Sequence, residues 1–267
     1  MFKKILIANR GEIAVRIIRA ARELGIVTVA VYSEADKESL HTLLADEAVC
    51  VGPAKSTDSY LNMNAILSAA IVTGAEAIHP GFGFLSENSK FATMCEEMRI
   101  KFIGPSASVM DKMGDKINAR SEMLKAKVPV IPGSDGEVFT AQEALEIAQD
   151  IGYPVMLKAS AGGGGKGIRK VDKKEDLTAA FESASQEALS AFGNGAMYLE
   201  KVIYPARHIE VQILGDSFGN IIHLGERDCS LQRNNQKVLE ESPSIAIGKT
   251  LRGKMGDAAV RAAKAVA

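Results

Sequence analysis

The chain opens on a short apolar run, Ile5-Leu-Ile-Ala8, of the kind that fills a strand buried on both faces. Behind Asn9-Arg10-Gly11, apolar positions Ile13, Ile17, Ala20, Ala21 and Leu24 recur at helical spacing, and Gly25 follows where a left-handed closing residue is expected. Residues 27–31 predict the next strand. The alternation continues with a strand near 48–51, a helix over 61–71, a strand at 75–78, a helix near 88–98 and a strand at 101–103. Strand and helix in turn, with short connections, predict a parallel sheet covered on both faces and place a first α/β domain at 1–113.

That rhythm then breaks. Val128-Pro-Val-Ile-Pro-Gly-Ser-Asp-Gly136 is rich in proline and glycine, and 114–134 reads as a linker with a helix. A small α+β block follows over 135–203: a helix at 141–150, a strand at 154–158, a glycine run, a strand at 168–171, a long helix at 174–191 and a strand at 197–201. Beyond it, 208–214 and 220–224 alternate as an antiparallel hairpin with one polar and one apolar face, around the turn Gly215-Asp-Ser-Phe-Gly219. Residues 251–267 are helical in pattern and meet no glycine, asparagine or proline stop, so the expectation is a chain that continues.

Composition narrows the function classes. The hydrophobic fraction is 46%, the charged fraction 24% and the formal net charge −1, which leaves no footprint for general nucleic-acid binding. Three cysteines, far apart and without a C-x-x-C, argue against a disulfide framework or a zinc site and fit a reducing cytoplasm. The first apolar run is too short for a signal peptide or a membrane span.

The strongest chemical signal is Lys158-Ala-Ser-Ala-Gly162-Gly163-Gly164-Gly165-Lys166-Gly167 between two strands. Consecutive glycines let backbone N–H groups close on an anion, and the flanking lysines suit phosphate oxygens; the alternative on composition alone is a flexible hairpin tip. It is not a Walker A loop, because Ser160 stands where the first glycine belongs and Gly167 replaces the Ser/Thr. The first strand–helix turn, Ala8-Asn9-Arg10-Gly11-Glu12, lacks the dinucleotide fingerprint as well.

Lys158 on a strand, the glycine loop, Glu200-Lys201 closing a strand and a mixed sheet beyond resemble the ATP-grasp fold. Longer runs resemble the biotin carboxylase family within it: Ile7-Ala-Asn-Arg-Gly-Glu-Ile-Ala14, His79-Pro-Gly-Phe-Gly-Phe-Leu-Ser-Glu-Asn88, Phe102-Ile-Gly-Pro105, Met113-Gly-Asp-Lys116, Ala206-Arg-His-Ile-Glu-Val-Gln212 and Gly225-Glu-Arg-Asp-Cys-Ser230. They run in family order along nearly the whole chain. The resemblance implies an α/β and α+β fold, with a Rossmann-like parallel-sheet N-terminal (pre-ATP-grasp) domain and then an ATP-grasp domain lacking its C-terminal part. Residues 135–203 would be its lid subdomain and 204–267 the start of its C-terminal subdomain.

The same resemblance implies the site. Lys116 and Lys158 would contact nucleotide phosphates, and Gly162, Gly163, Gly164, Gly165 and Gly167 would close over them. Glu200, Lys201 and Ile203 would frame the adenine, His208 and Gln232 would meet the ribose, and Lys237 would act catalytically at the γ-phosphate and bicarbonate. The family commonly reads Arg-Arg-His-Gln-Lys where this chain has Arg233-Asn234-Asn235-Gln236-Lys237, so no proton or charge is carried at 235. ATP, Mg2+ and bicarbonate are implied as ligands and carrier-bound biotin as acceptor, with the carboxyl group passing on to acetyl-CoA for fatty-acid synthesis; the alternatives are the same module in a pyruvate, propionyl-CoA or urea carboxylase, or a nucleotide-binding fragment without catalysis. The family's metal ligands, bicarbonate base and biotin-side arginine would fall beyond 267, and the expectation is that these residues alone are inactive. Implied partners are a biotin carboxyl carrier protein, carboxyltransferase subunits and a second copy, with no nucleic acid and no membrane. Arg19 and Glu23 resemble positions at the family's dimer contact, or form an ordinary i,i+4 surface pair.

Overall fold

A computed structural model describes residues 1–114, 116–160, 167–233 and 236–267, with the side chains of Lys116 and Ile117 outside that description. The chain divides into two compact units, Met1–Lys112 and Met113–Ala267.

The first unit alternates β1 (Lys4–Ile7), α1 (Gly11–Glu23), β2 (Val27–Ser33), α2 (Leu40–Leu44), β3 (Glu47–Gly52), α3 (Met63–Thr73), β4 (Ala77–His79), α4 (Ser89–Glu97) and β5 (Lys101–Phe102). Its strands pair in the order β3-β2-β1-β4-β5, all parallel. Successive side chains of a strand face opposite ways, so Leu6 and Ala8 join one buried cluster with Ile66 and Phe91, while Ile5 and Ile7 join another with Ile17 and Ile18. A sheet covered on both faces needs continuous apolar strands, and that is why β1 reads without alternation. Gly25, at φ +70°, closes α1: its N–H bonds Arg22 O and the next N–H, of Ile26, bonds Ala21 O.

The chain order reverses at β1, between β2 and β4. At this carboxyl edge Asn9, nearly fully buried, donates its Nδ2 to Pro80 O and Phe82 O at 2.8 Å each. Gly81 has φ +64°, and a Cβ there would lie 2.8 Å from that nitrogen, so glycine is required for both conformation and space. Arg10 reaches across the same edge, 3.2 Å from Asp36 Oδ2 and over the stacked rings of Tyr60 and Phe84.

Next along the chain come α5 (Ala107–Gly114), α6 (Lys116–Lys125), α7 (Ala141–Ile151), β6 (Val155–Ala159), β7 (Ile168–Val171), α8 (Lys174–Phe192) and β8 (Met197–Lys201). Strands β7-β6-β8 form an antiparallel sheet whose buried side, Val155, Leu157, Ala159, Met197 and Leu199, packs with α7 and α8. The proline- and glycine-rich stretch expected as a linker is docked along β8 at its far end. Ser134 N–H bonds Leu199 O, Lys201 N–H bonds Pro132 O, and Val138 and Met197 exchange both bonds. Gly133 allows this approach, since a Cβ there would lie 2.3 Å from Leu199 O.

The last elements are β9 (Ile209–Gly215), β10 (Ile221–Arg233), β11 (Gln236–Glu241) and α9 (Lys249–Val266), with sheet order β11-β10-β9 and α9 packed on β9 and β10. The expected hairpin is present, closed by Asp216 Oδ1 accepting from Phe218 N and Asn220 N. Its second strand runs nine residues past the expected end, from Leu224 to Arg233. Among the described residues, no helix is long and apolar enough to cross a membrane.

Candidate functional site

Two clusters in the second unit bring candidate residues together, Lys158 with Glu200 in one and His208, Gln232 and Lys237 in the other. The first is a cavity of about 670 Å³ beside β6 and β8, within the range of small-molecule sites. Alternation along β6 turns Val155, Leu157 and Ala159 into the core and leaves Lys158 for the other face, where it lines the cavity. Its Nζ stands 2.5 Å from Glu200 Oε2 and 5.7 Å from the centre of the Tyr198 ring. Met113, Leu124 and Ile131 add an apolar wall, with Ser134 and Asp135 as polar groups. Arg120 also lines it; one guanidinium N–H holds Ile131 O, while its buried Nε has no partner among the described residues. An apolar slot with a few convergent polar groups and a cation at one side suits a flat heterocycle carrying anionic groups.

The second cluster lies on the β9–β11 sheet. His208 Nδ1 is 2.8 Å from Gln232 Nε2, which also donates to Cys229 O at 2.9 Å. Glu210, two residues further along, accepts from Lys237 Nζ at 2.5 Å and from Arg227 Nε at 2.6 Å. Arg227 continues to Gln212 Oε1 at 3.1 Å. Partial burial opposes the Glu210 charge, yet the hydrogen bonds from Lys237 and Arg227 outweigh it and hold the carboxyl below the ordinary glutamate range. The reciprocal bond raises the Lys237 ammonium above the usual lysine value, so this lysine is firmly cationic at neutral pH. Glu210, Cys229 and Glu240 place their ligand atoms within 4.8 Å of one another. Lys237 and Arg227 already occupy the position of a cation there, and the Cys229 thiol is pushed up by burial and by Glu210, so the donor set does not fit a magnesium ion.

Other candidates are placed as follows. Glu200 joins Lys158 at the cavity, whereas the Lys201 ammonium turns to Gly152 O and Tyr153 O at 3.0 and 2.7 Å and is not offered to a ligand. Ile203 is half exposed just past β8. Gly167, at φ +67°, packs so closely that a Cβ would lie 2.9 Å from Ala159 Cβ. Lys116 opens α6, but its side chain lies outside the described residues, as do Gly162, Gly163, Gly164 and Gly165 and the variant position Asn235. His208, Gln232 and Lys237 do not line the cavity that Lys158 and Glu200 share.

Several residues in these clusters escaped the sequence reading. Glu210 sits inside a quoted motif, and its i,i+2 spacing from His208 on a strand was the available signal that both share a face. Arg227 and Cys229 likewise lie in the Gly225–Ser230 run without a role attached. Tyr198 could be read only from its place opposite Lys158 in the β6–β8 register.

The chain resembles known proteins along nearly its whole length. Residues 1–110 match the model of the biotin carboxylase N-terminal domain, and 115–267 match that of the carbamoyl-phosphate synthase L chain ATP-binding domain. Biotin carboxylase 1 of Bacillus subtilis is 60% identical over 266 residues, covering 100% of this chain and 59% of that protein. The crystal structure of a biotin carboxylase–βγ-ATP complex from Campylobacter jejuni superposes with a TM-score of 0.88 at 54% identity, over 100% of this chain and 60% of that one. The biotin carboxylase domain dimer of Hydrogenobacter thermophilus 2-oxoglutarate carboxylase, bound to MgADP, ADP and bicarbonate, gives 0.85 at 53% identity, over 100% and 58%. The chain thus spans about three-fifths of the length of these curated relatives. With a parallel-sheet N-terminal domain followed by an ATP-grasp-like domain, the chain belongs to the biotin carboxylase family.

Proposed function

We propose that the protein carrying this chain uses ATP and bicarbonate to carboxylate biotin held on a carrier protein. The observation that carries the reading is the Lys158–Glu200 pair at the edge of an apolar cavity, inside the segment that matches an ATP-binding domain. In this reading 1–113 is the α/β domain, 135–203 the lid bearing the glycine loop and 204–267 the beginning of the larger ATP-grasp subdomain. The adenine lies against Ile131, framed by the backbone of Glu200 to Ile203. Lys116 and Lys158 meet the phosphates under Gly162, Gly163, Gly164, Gly165 and Gly167, and His208 and Gln232 meet the ribose.

Lys237 supplies positive charge where the γ-phosphoryl group meets bicarbonate; its ion pair with Glu210 keeps the ammonium protonated and aimed. A bicarbonate oxygen attacks the γ-phosphorus and ADP leaves, giving carboxyphosphate. This breaks down to CO2 and phosphate, and the deprotonated ureido nitrogen of biotin captures the CO2. Bound magnesium would neutralise phosphate charge; no described residue of this chain is assigned to hold it. The reading extends to a cytoplasmic enzyme that works as a dimer with carboxyltransferase subunits and passes its carboxyl group to acetyl-CoA. Relatives include a 2-oxoglutarate carboxylase subunit, so the acceptor is the finer part of the proposal.

The test is phosphate release from ATP by the protein as encoded. Release that requires bicarbonate and rises with free biotin supports the reading; turnover driven by another acceptor, such as ammonia, defeats it. Transfer of labelled carboxyl group to acetyl-CoA, compared with pyruvate and 2-oxoglutarate, decides the acceptor.

A further inference from the structure

A buried polar network behind β10 ends on the backbone of His208. Asp228 and Glu226 are each only 4% exposed on this strand, and Ser244 beneath them 2%. Asp228 Oδ2 accepts from Ser244 Oγ at 2.9 Å and lies 3.5 Å from Arg207 Nη1. Its Oδ1 accepts from Ser230 N at 3.1 Å and from Ser230 Oγ at 2.6 Å. A hydroxyl whose proton is committed to a carboxylate has its lone pairs fixed in direction. Ser230 Oγ uses one of them to accept from His208 N at 3.0 Å, while His208 O accepts from Cys229 N at 2.8 Å. The His208 backbone is thereby tied on both sides to the strand that carries Gln232, the partner of its ring.

We infer that Ser230 and Asp228 are positioning residues for nucleotide binding: Asp228 orients the Ser230 hydroxyl, which fixes the His208 main chain and so the His208–Gln232 pair. The inference rests on the proposed role of that pair at the ribose. Neither Ser230 nor Asp228 touches the ligand. Each acts through one backbone hydrogen bond, so its effect exists only while the His208 ring is there to be placed. Glu226 serves the outer part of the network, accepting from Arg252 Nε at 2.7 Å and from Ser244 N at 3.2 Å.

Calorimetric titration of MgATP into the protein as encoded tests this. Ser230→Ala should weaken binding by about threefold to tenfold, the worth of one hydrogen bond, with Ser230→Thr close to the parent because the hydroxyl is kept. Asp228→Asn preserves the shape and gives a second route to the same loss. In a His208→Ala background neither change should weaken binding further. Additive losses, or no loss from either single variant while His208→Ala does lose affinity, would overturn the positioning role and leave the nucleotide site standing. If His208→Ala itself binds MgATP like the parent, the ribose reading fails, and the positioning inference with it. Thermal unfolding of each variant separates a placement effect from a general loosening of the sheet.

Discussion

Lys158 and Glu200 meet diagonally across the β6–β8 pairing, two residues out of register, with 2.5 Å between Nζ and Oε2. Without ligand the carboxylate is the lysine's counterion, and phosphate oxygens would compete for the same ammonium. Charge-assisted hydrogen bonds of this kind contribute about 1.5–3 kcal/mol. Lys158→Met is therefore expected to weaken ATP binding by roughly ten- to a hundredfold, read by titration calorimetry. Unchanged affinity would remove Lys158 from the site.

At the second cluster the expected effect is on rate. Removing the cation at Lys237→Met should lower bicarbonate-dependent ATP turnover by about a hundredfold or more while MgATP still binds. Glu210→Gln deprives Lys237 of the bond that raises its pKa, so the alkaline limb of the pH–rate profile should move to lower pH. A profile identical to the parent's would show that the Lys237–Glu210 contact does not govern the reaction.

Two glycines predict opposite signs. Gly133→Ala pushes a methyl group to 2.3 Å from Leu199 O and must lift the docked segment from β8. It should cost about 1–3 kcal/mol of stability and weaken nucleotide binding through the displaced cavity wall. Gly253, inside α9 with open space around its Cβ position, should stabilise by about 0.5–1 kcal/mol when changed to alanine. Urea denaturation of both variants, compared with the parent, decides each.

Tyr60 gives the first unit a pH signature. Burial, and then its 2.6 Å hydrogen bond to Asp36, push the phenol up to about 12 from 10.0. A group raised on folding contributes stability that is complete below its unfolded pKa and is lost as pH rises through the folded one. The denaturation midpoint should thus fall between pH of about 10 and about 12, and Tyr60→Phe, though less stable at neutral pH, should flatten that decline. An equally steep decline in Tyr60→Phe would show that another group is responsible.

Where burial is apolar, the structure was legible in the sequence. Strands β7 and β8 have the expected bounds, and the helices α1, α3, α4, α7, α8 and α9 lie within two residues of the periodic segments. The continuation of β10 was hidden because its inward positions are Glu226 and Asp228, buried through hydrogen bonds that no hydrophobic pattern announces. The docking of Gly133 and Ser134 on β8 was hidden for a related reason: backbone groups make those bonds, so proline and glycine read simply as a break. The short helix α2 has too few residues to show a period. Of the site, the cavity residues Lys158 and Glu200 were legible through a motif. The polar partners that hold Lys237 and His208 were not legible there, because they depend on which residues lie opposite one another across a register with bulges.

Glu226 and Asp228 also make β10 hard to misassemble. Sliding the strand by one residue would carry both carboxylates away from Arg252 and Ser244 and turn Arg227 inward in their place. An apolar strand offers several acceptable alignments, since one greasy residue substitutes for another. Two acids with dedicated partners offer one, so the pair works as the teeth of a key, admitting a single alignment of the strand that bears Ser230 and Gln232.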